Sequence, residues 1–162
     1  MKKVFILTLL LFTLSISAVS AQNSTQSGKL IRKEIINQKR DQFETRLKLL
    51  KDTRKQKIVE NLDKSYANIN ARWTAHFKNV LDRLSKIADR INAPAKIKNQ
   101  ITATLTAIET QATKTYTIDL SDETKLGEAA QAIHQQLRSD LESLRDQIKD
   151  IRESLKTAVP AP

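Results

Sequence analysis

An apolar pattern between Ile58 and Ile91 constrains the fold more than any other feature of the 162-residue chain. Apolar residues recur there in steps of four, four and three, so the pattern repeats every 11 residues. Such a repeat corresponds to about 3.67 residues per turn and places its members along one nearly straight stripe of an α-helix. The stripe consists of Ile58, Leu62, Tyr66, Ile69, Trp73, Phe77, Val80, Leu84, Ala88 and Ile91.

The stripe belongs to a longer segment without helix-breaking residues. Neither Pro nor Gly occurs between Lys29 and Asn92, and we predict a single helix of 64 residues over this range. Pro94 would end it, because the residue before a proline is disfavoured in the helical conformation.

Two shorter helices are predicted to follow. The second would begin near Pro94 and end near Tyr116, and the third would run from Asp122 to Thr157 with Ser121 as its N-cap. Tyr116 to Ser121 would be extended. Residues 101–107 and 115–120 also alternate like two strands of a hairpin, but they lack turn residues between them, and Ala is a poor strand former.

The fold class predicted from these patterns is all-α, with one long helix and two shorter ones. Each helix has one apolar stripe and needs a partner to cover it. Two packings satisfy this need: an antiparallel three-helix bundle, or a long helical hairpin in which the two shorter helices lie end to end along the first. We favour the bundle, because the coiled-coil-like 11-residue repeats lie where the second helix can reach them.

The N-terminus resembles a secretory signal peptide over residues 1–21. Lys2 and Lys3 precede an apolar run from Val4 to Ile16, and Val19-Ser20-Ala21 offers small residues for cleavage. We therefore expect an exported protein (periplasmic, cell-surface or secreted), or one with an N-terminal membrane anchor if this segment is not cleaved. Residues 22–28 would form a polar linker, 29–157 the helical domain, and 158–162 a disordered tail.

Positive charge is concentrated in residues 29–57, ahead of the packed region 58–157. This segment has eleven bases and four acids, an excess of 11 − 4 = 7, in a chain of net charge +10. A helical arm with this excess attracts polyanions, so we expect contact with an anionic envelope polymer, a membrane surface or a client protein. Phe43 is its only aromatic residue, which argues against sequence-specific nucleic acid binding. The candidate contact residues are Arg32, Lys33, Lys39, Arg40, Arg46, Lys48, Lys51, Arg54, Lys55 and Lys57.

A thin apolar stripe accompanies these bases. It consists of Ile36, Phe43, Leu47 and Leu50. If the second helix packs on residues 58–91, this stripe has no partner within the chain. We therefore predict self-association into a homo-oligomer through it.

The sequence offers little that could carry out catalysis. There is no Cys, and neither His76 nor His134 lies in a metal-binding spacing. The acids Asp119, Asp122 and Glu123 fit the electrostatics of a helix start better than a calcium loop, which would require a Gly. We predict a protein that is not an enzyme and has no cofactor or metal.

Two resemblances to known groups of proteins also indicate an exported helical protein. Leu81 to Ile91 resembles the pattern R-L-x-x-I-A-D-R-I of small exported helical proteins of candidate-phyla bacteria, whose function is not characterised. Lys114 to Leu120, followed by Leu137 to Leu144, resembles a later part of the same proteins. This likeness implies a helical envelope protein and no known active residues. The chain is also similar in composition to periplasmic holdase chaperones of the OmpH type, which implies a chaperone, but it lacks their N-terminal β-strand.

Overall fold

In the computed structural model, the backbone is described from Ser20 to Ala158 and side chains from Leu30 onward, except Arg32. This range contains four helices and no strand, which confirms the all-α fold and excludes the hairpin of strands. The helices are α1 (Ser20–Leu49), α2 (Thr53–Arg90), α3 (Ala95–Ala112) and α4 (Leu126–Ala158). The predicted signal peptide up to residue 19 and the predicted tail from residue 159 lie outside the described residues.

Internal contacts divide the chain into residues 1–35 and residues 36–162. In the first unit, α1 is already helical at Ser20, so the predicted helix start at Lys29 is late and residues 22–28 are helical. The second unit contains the remainder of α1 together with α2, α3 and α4. It is a helical bundle.

The predicted 64-residue helix is wrong, because the chain breaks at residues 50–52. Asp52 has an extended backbone (φ −89°, ψ 109°) and caps α2: its carboxylate accepts hydrogen bonds from the backbone N–H of Arg54 at 2.8 Å and of Lys55 at 3.3 Å. Leu50 is buried beside this cap. The break lets the end of α1 pack against the rest of its own chain instead of projecting as an arm.

The turn predicted at residues 92–94 is confirmed. The N–H of Ala93 bonds the carbonyl of Ala88 at 2.8 Å, and that of Asn92 bonds the carbonyl of Asp89 at 3.2 Å. This pair of bonds forms a Schellman motif, in which Asn92 takes the left-handed conformation with φ 49°. Asn tolerates this conformation better than most residues, so it suits the end of α2.

Helices α2, α3 and α4 all pack against one another. α3 is antiparallel to α2, since Lys98 pairs with Asp89 at 3.0 Å near one end and Asn70 bonds Gln111 at the other. Their mutual contact is what a bundle requires. Two shorter helices lying end to end would not pack side by side, so the hairpin alternative does not describe this structure.

α4 returns antiparallel to α3 and therefore runs parallel to α2. Thr104 lies beside Gln147 (3.3 Å), and Lys114 lies beside Asp140 (2.9 Å). Between α2 and α4, the Tyr66 hydroxyl donates to the carbonyl of Ala130 at 3.1 Å, and the Tyr66 ring lies 6.2 Å from that of His134.

The buried face of α2 differs from the stripe predicted for it. Tyr66, Phe77, Leu84 and Ala88 are buried as expected, but Ile58 is 58% exposed and Trp73 is 47% exposed. The helix is rotated so that three polar residues enter the core in their place. These are Asp63, Asn70 and Thr74.

α4 begins four residues later than predicted. Ser121 does not cap it; instead the Asp122 carboxylate accepts from the N–H and the hydroxyl of Thr124, at 2.9 and 2.6 Å, in a turn before Leu126. Residues 114–120 are neither helix nor strand, and α3 ends at Ala112 instead of near Tyr116 as predicted. Tyr116, Ile118 and Leu120 from this segment are buried, so the connection is part of the core.

The stripe predicted to mediate self-association has partners within the chain. Phe43 and Leu50 are 5% and 7% exposed, and Leu47 packs against the same core. Ile36 is half-buried. The premise of that prediction was therefore wrong, because the break at 50–52 folds the stripe onto the core of its own chain.

No helix within residues 20–158 is both long enough and apolar enough to cross a membrane.

Candidate functional site

Three of the predicted anion-binding bases contact acceptors in their own chain. Arg40 pairs with Asp63 at 2.6 Å, and Arg46 pairs with Asp119 at 3.5 Å. The Lys55 ammonium donates to the carbonyl of Glu123 at 3.4 Å. Because these contacts connect α1 and the start of α2 to other parts of the bundle, these side chains contribute to the fold and are less available to a partner.

The Arg40–Asp63 pair is the most buried of these contacts. The Asp63 side chain is 3% exposed and the Arg40 side chain is 41% exposed. The guanidinium also lies 5.8 Å from the ring centroid of Phe43, within range of a cation–π interaction. A buried carboxylate needs such a partner, so Arg40 links α1 to α2 through this ion pair.

The other bases remain accessible. Lys33, Lys39, Lys48, Lys51, Arg54 and Lys57 are exposed, and the side chains that the structure describes form no ion pair with them. The side chain of Arg32 is outside this set. Lys48, Lys51, Arg54 and Lys57 surround the break between α1 and α2, and we refer to these four as the basic corner.

Two exposed apolar residues accompany the basic corner. Leu49 is 73% exposed and Ile58 is 58% exposed. Asp52 is the only acid between Arg46 and Ile58, and its carboxylate is engaged in capping α2. The corner therefore presents positive charge and apolar tips together, a combination that suits an anionic surface.

A second accessible surface lies between α2 and α4. It is a groove of about 260 Å³, which we call the Trp73 groove. Its lining residues are Ile69, Trp73, Phe77, His134, Leu137, Arg138, Leu141, Glu142 and Arg145. A large aromatic residue that is half exposed in an apolar groove is typical of a binding surface.

Aromatic rings cluster at this groove. The centroid of Trp73 is 5.5 Å from that of Phe77 and 5.9 Å from that of His76. His134, on α4, lies 6.2 Å from the ring of Tyr66. Both histidines of the chain therefore lie around its only tryptophan, although they are 58 positions apart in the sequence (134 − 76).

Cationic side chains border the groove. Arg138 bonds Glu142 at 3.0 Å, and Arg145 bonds Asp146 at 3.1 Å. Both arginine side chains remain more than 60% exposed, so these pairs are worth about 0–1 kcal/mol and exchange readily for a partner. On the other wall, residues 65–81 of α2 contain no acid at all.

A buried polar network joins α2, α3 and the segment that follows α3. Asn70 exchanges hydrogen bonds with Gln111: its amide donates to the Gln111 carbonyl at 3.0 Å, and its side-chain oxygen accepts from the Gln111 amide at 3.0 Å. Gln111 also donates to the Tyr116 hydroxyl, which donates to Asp140 at 2.6 Å. No buried polar side-chain atom in the described range lacks a partner.

This network behaves as structure rather than as a reactive site. Burial raises the pKa of Tyr116 well above its ordinary value, and the hydrogen bond to Asp140 acts in the same direction. The phenol therefore keeps its proton and serves as a fixed donor. Each of these four side chains is hydrogen-bonded to another protein group, so the network ties α2, α3 and α4 together.

The other predicted groups do not form a site. Asp119 accepts from the N–H of Ser121 and pairs with Arg46, while Asp122 forms the turn before α4. Among the side chains described here, no group of His, Asp or Glu could hold a metal ion. The Trp73 groove was missed at the sequence level, because Trp73 was assigned to the core stripe and its exposure depends on the rotation of α2.

No protein-family model, no curated protein and no solved structure matches this chain.

Proposed function

We propose that this chain is a non-enzymatic helical interaction protein, exported to the cell envelope, that contacts an anionic surface through its basic corner. The observation that carries this proposal is the set of four bases around the α1–α2 break, all exposed and without an ion pair among the described side chains. The signal-like segment at residues 1–21 supports export, and the likeness of Leu81 to Ile91 to small envelope proteins agrees with it.

The corner is better suited to this role than the straight arm first expected. The bases of a continuous helix are distributed around its circumference, whereas these four lie within ten consecutive residues, 48–57, across the break between two helices. Leu49 and Ile58 add apolar contact that electrostatic attraction alone does not provide. Long-range attraction would bring the corner to the surface, and these side chains would then hold it there.

The finer architecture that we propose is a three-helix core of α2, α3 and α4, coiled-coil-like along α2, with the end of α1 as an added fourth element. The ion pair of Arg40 with Asp63 supports this assignment of α1. Such a bundle would act as a rigid spacer that carries the basic corner.

A second candidate function is that of a periplasmic holdase for unfolded proteins. The half-exposed Trp73 in an apolar groove favours it, since a holdase must present apolar surface to its clients. It predicts that a near-stoichiometric amount of the protein suppresses aggregation of a denatured client. Unchanged light scattering of the client would remove this candidate.

Co-sedimentation with vesicles tests the basic corner directly. We expect binding to vesicles that contain anionic lipid, and to a soluble anionic polymer that competes with them, but not to zwitterionic vesicles. The variant Lys48→Glu, Arg54→Glu, Lys57→Glu should lose this binding. Glu is well tolerated in the first turn of α2, because negative charge there favours the helix dipole.

A matched control carries the same change of net charge elsewhere. Lys78→Glu, Lys86→Glu, Lys96→Glu alters three exposed bases of α2 and α3 outside the corner. It should retain most of the binding. Equal losses in both variants would show that net charge alone drives the attraction. Binding that is unchanged between about 0.15 M and about 0.5 M salt would contradict an electrostatic contact, since the Debye length shortens over this range.

A further inference from the structure

We propose that the Trp73 groove is a docking site for an acidic amphipathic helix of a partner protein. This inference concerns a surface separate from the basic corner and goes beyond the proposed function. It depends on two rows of side chains along α2 and α4 that share one spacing.

The first row is apolar and lies on α2. Trp73, Val80 and Ile87 recur every seven residues, so they lie along one side of the helix. Trp73 is 47% exposed, Ile87 is 42% exposed and Val80 is half-buried. The row covers 14 residues of helix, or about 21 Å, and the bundle leaves it partly uncovered.

The second row is cationic and lies on α4. Arg138, Arg145 and Arg152 also recur every seven residues, and all three are exposed. The two helices run parallel, and Trp73 lines one groove together with Arg138 and Arg145.

Two rows of side chains that recur every seven residues, one apolar and one charged, form a surface on which another helix can pack. In coiled coils, apolar residues at two positions of each heptad form the contact, and charged residues beside them select the partner. An incoming helix would place its apolar stripe on Trp73, Val80 and Ile87. Its flanking carboxylates would then meet the three guanidinium groups, which suit bidentate bonds to carboxylates.

The charge around the groove selects an acidic occupant. Residues 72–87 of α2, which contain the apolar row, have four bases and one acid, Asp82. On α4, Glu142 and Asp146 are each bonded to an arginine in an exposed pair. A partner carboxylate can replace either one at little cost, because such pairs contribute little to stability.

A second copy of this chain does not fit these requirements. The chain has a net charge of +10, and the most exposed large apolar residue that the structure describes, Leu49, lies beside Lys48 and Lys51. Docking Leu49 in the groove would bring like charges together. A membrane surface also fits poorly, because Trp73 lies in a concave groove between two helices and not on a convex tip.

The composition of the groove agrees with a protein partner. Trp and Arg are the residues most often found where truncation costs the most binding energy in protein interfaces. Trp73 is also flanked by Phe77 and Ile69, which keep its indole in place without covering it. An indole held in this way loses little freedom on binding.

Peptide binding can be measured by the fluorescence of Trp73, since it is the only tryptophan of the chain. The probe is a helical peptide of about three heptads with Leu at the two core positions and Glu at the flanking ones, so that it does not pair with itself. We expect a saturable blue shift of Trp73 fluorescence as the indole is buried. The same peptide with Lys in place of Glu should cause no shift.

Charge reversal on α4 tests the role of the arginine row. In the variant Arg138→Glu, Arg145→Glu, Arg152→Glu we expect affinity for the Glu peptide to fall on the order of tenfold or more, and the Lys peptide to bind in its place. The control Lys33→Glu, Lys39→Glu, Lys96→Glu, in which three exposed bases outside the groove are reversed, should retain a clear preference for the Glu peptide. Far-ultraviolet circular dichroism on each variant establishes that the bundle is folded.

Four outcomes would overturn the inference. They are equal binding of the Glu and Lys peptides, no shift with either peptide, a shift produced only by lipid vesicles, and a shift that grows with protein concentration alone while the molar mass doubles. The last two would assign the groove to a membrane or to a second copy. None of them depends on the basic corner, so the proposed function can succeed or fail separately.

Discussion

Two faces of α2 differ in a way that hydropathy does not predict. The face toward α3 buries Asn70 and Thr74, while the face toward α4 leaves Ile69 half-buried and Trp73 half exposed. These residues lie within one and a half turns of one another. The polar face is buried because the chain supplies a hydrogen-bond partner for each of its groups, and the apolar face stays open because no other element within residues 20–158 covers it.

The difference shows that the neighbours of a helix decide which of its faces is used for stability and which for contact. If this is correct, substitutions on the α3 side should change the free energy of unfolding, and substitutions on the α4 side should change binding. The following predictions test that division, beginning with the largest expected effect.

Replacing Asn70 with Leu should lower the free energy of unfolding by about 2 to 3 kcal/mol, because the carbonyls of Gln111 and Lys114 lose their donor within the core. Urea denaturation measures this loss. Asn68→Leu is the matched control, since Asn68 is exposed on the same helix and should change stability by less than about 0.5 kcal/mol. Equal effects of the two variants would mean that the polar network adds nothing.

Replacing Arg40 with Met should cost about 2 kcal/mol. It leaves the buried carboxylate of Asp63 without a cation, although the partial exposure of Arg40 admits water and reduces the penalty. Arg46→Met is the control, because both members of the Arg46–Asp119 pair are more than half exposed and contribute at most about 0.5 kcal/mol. If both variants unfold at the same urea concentration, Arg40 does not anchor α1.

Tyr116 should make stability fall at alkaline pH. Burial raises the pKa of its phenol in the folded state, so the unfolded chain releases this proton first, above about pH 10. Stability is therefore retained below pH 10 and falls by at most about 1.4 kcal/mol for each further unit of pH. In the Tyr116→Phe variant, the part of the alkaline loss of stability that Tyr116 causes should disappear, although the variant is less stable at neutral pH. An unaltered alkaline slope in urea titrations would show that Tyr116 is not its source.

Replacing Trp73 with Gln should change stability least, by less than about 1 kcal/mol, because nearly half of the side chain is exposed already. The same variant should abolish binding of the acidic peptide, measured by calorimetry because the fluorophore is gone. A loss of stability above about 2 kcal/mol would place Trp73 in the core and remove the distinction between the two faces.

Much of the secondary structure follows from local patterns alone. The apolar stripe of α4 is buried or half-buried along its whole length, and Asn92 and Pro94 end α2 and begin α3 where the sequence indicates. These features depend on contacts within a few residues, such as the Schellman bonds to Ala88 and Asp89. Periodicity and capping chemistry therefore predict them without knowledge of the tertiary fold.

The candidate binding surfaces were less predictable from the sequence than the secondary structure. The ten bases of the arm were found by composition, but only the structure separates Arg40, Arg46 and Lys55, which contact their own chain, from the exposed basic corner. The stripe predicted for self-association lost its premise for the same reason, since Phe43 and Leu50 are buried in the core of their own chain. Self-association itself stays a prediction. No local pattern predicts that His134 lines the Trp73 groove, since this depends on how α4 packs against α2.

The sequence by itself determined that this protein is helical, where α2 ends and α3 begins, and which side of α4 is apolar. Only the tertiary structure decided the break at residues 50–52, the rotation that buries Asn70 and exposes Trp73, and the division of charge between fold and surface. The physical reason is the separation along the chain over which each effect acts. Helix formation and capping depend on neighbours within a turn or two, whereas burial depends on which distant group arrives to satisfy a side chain.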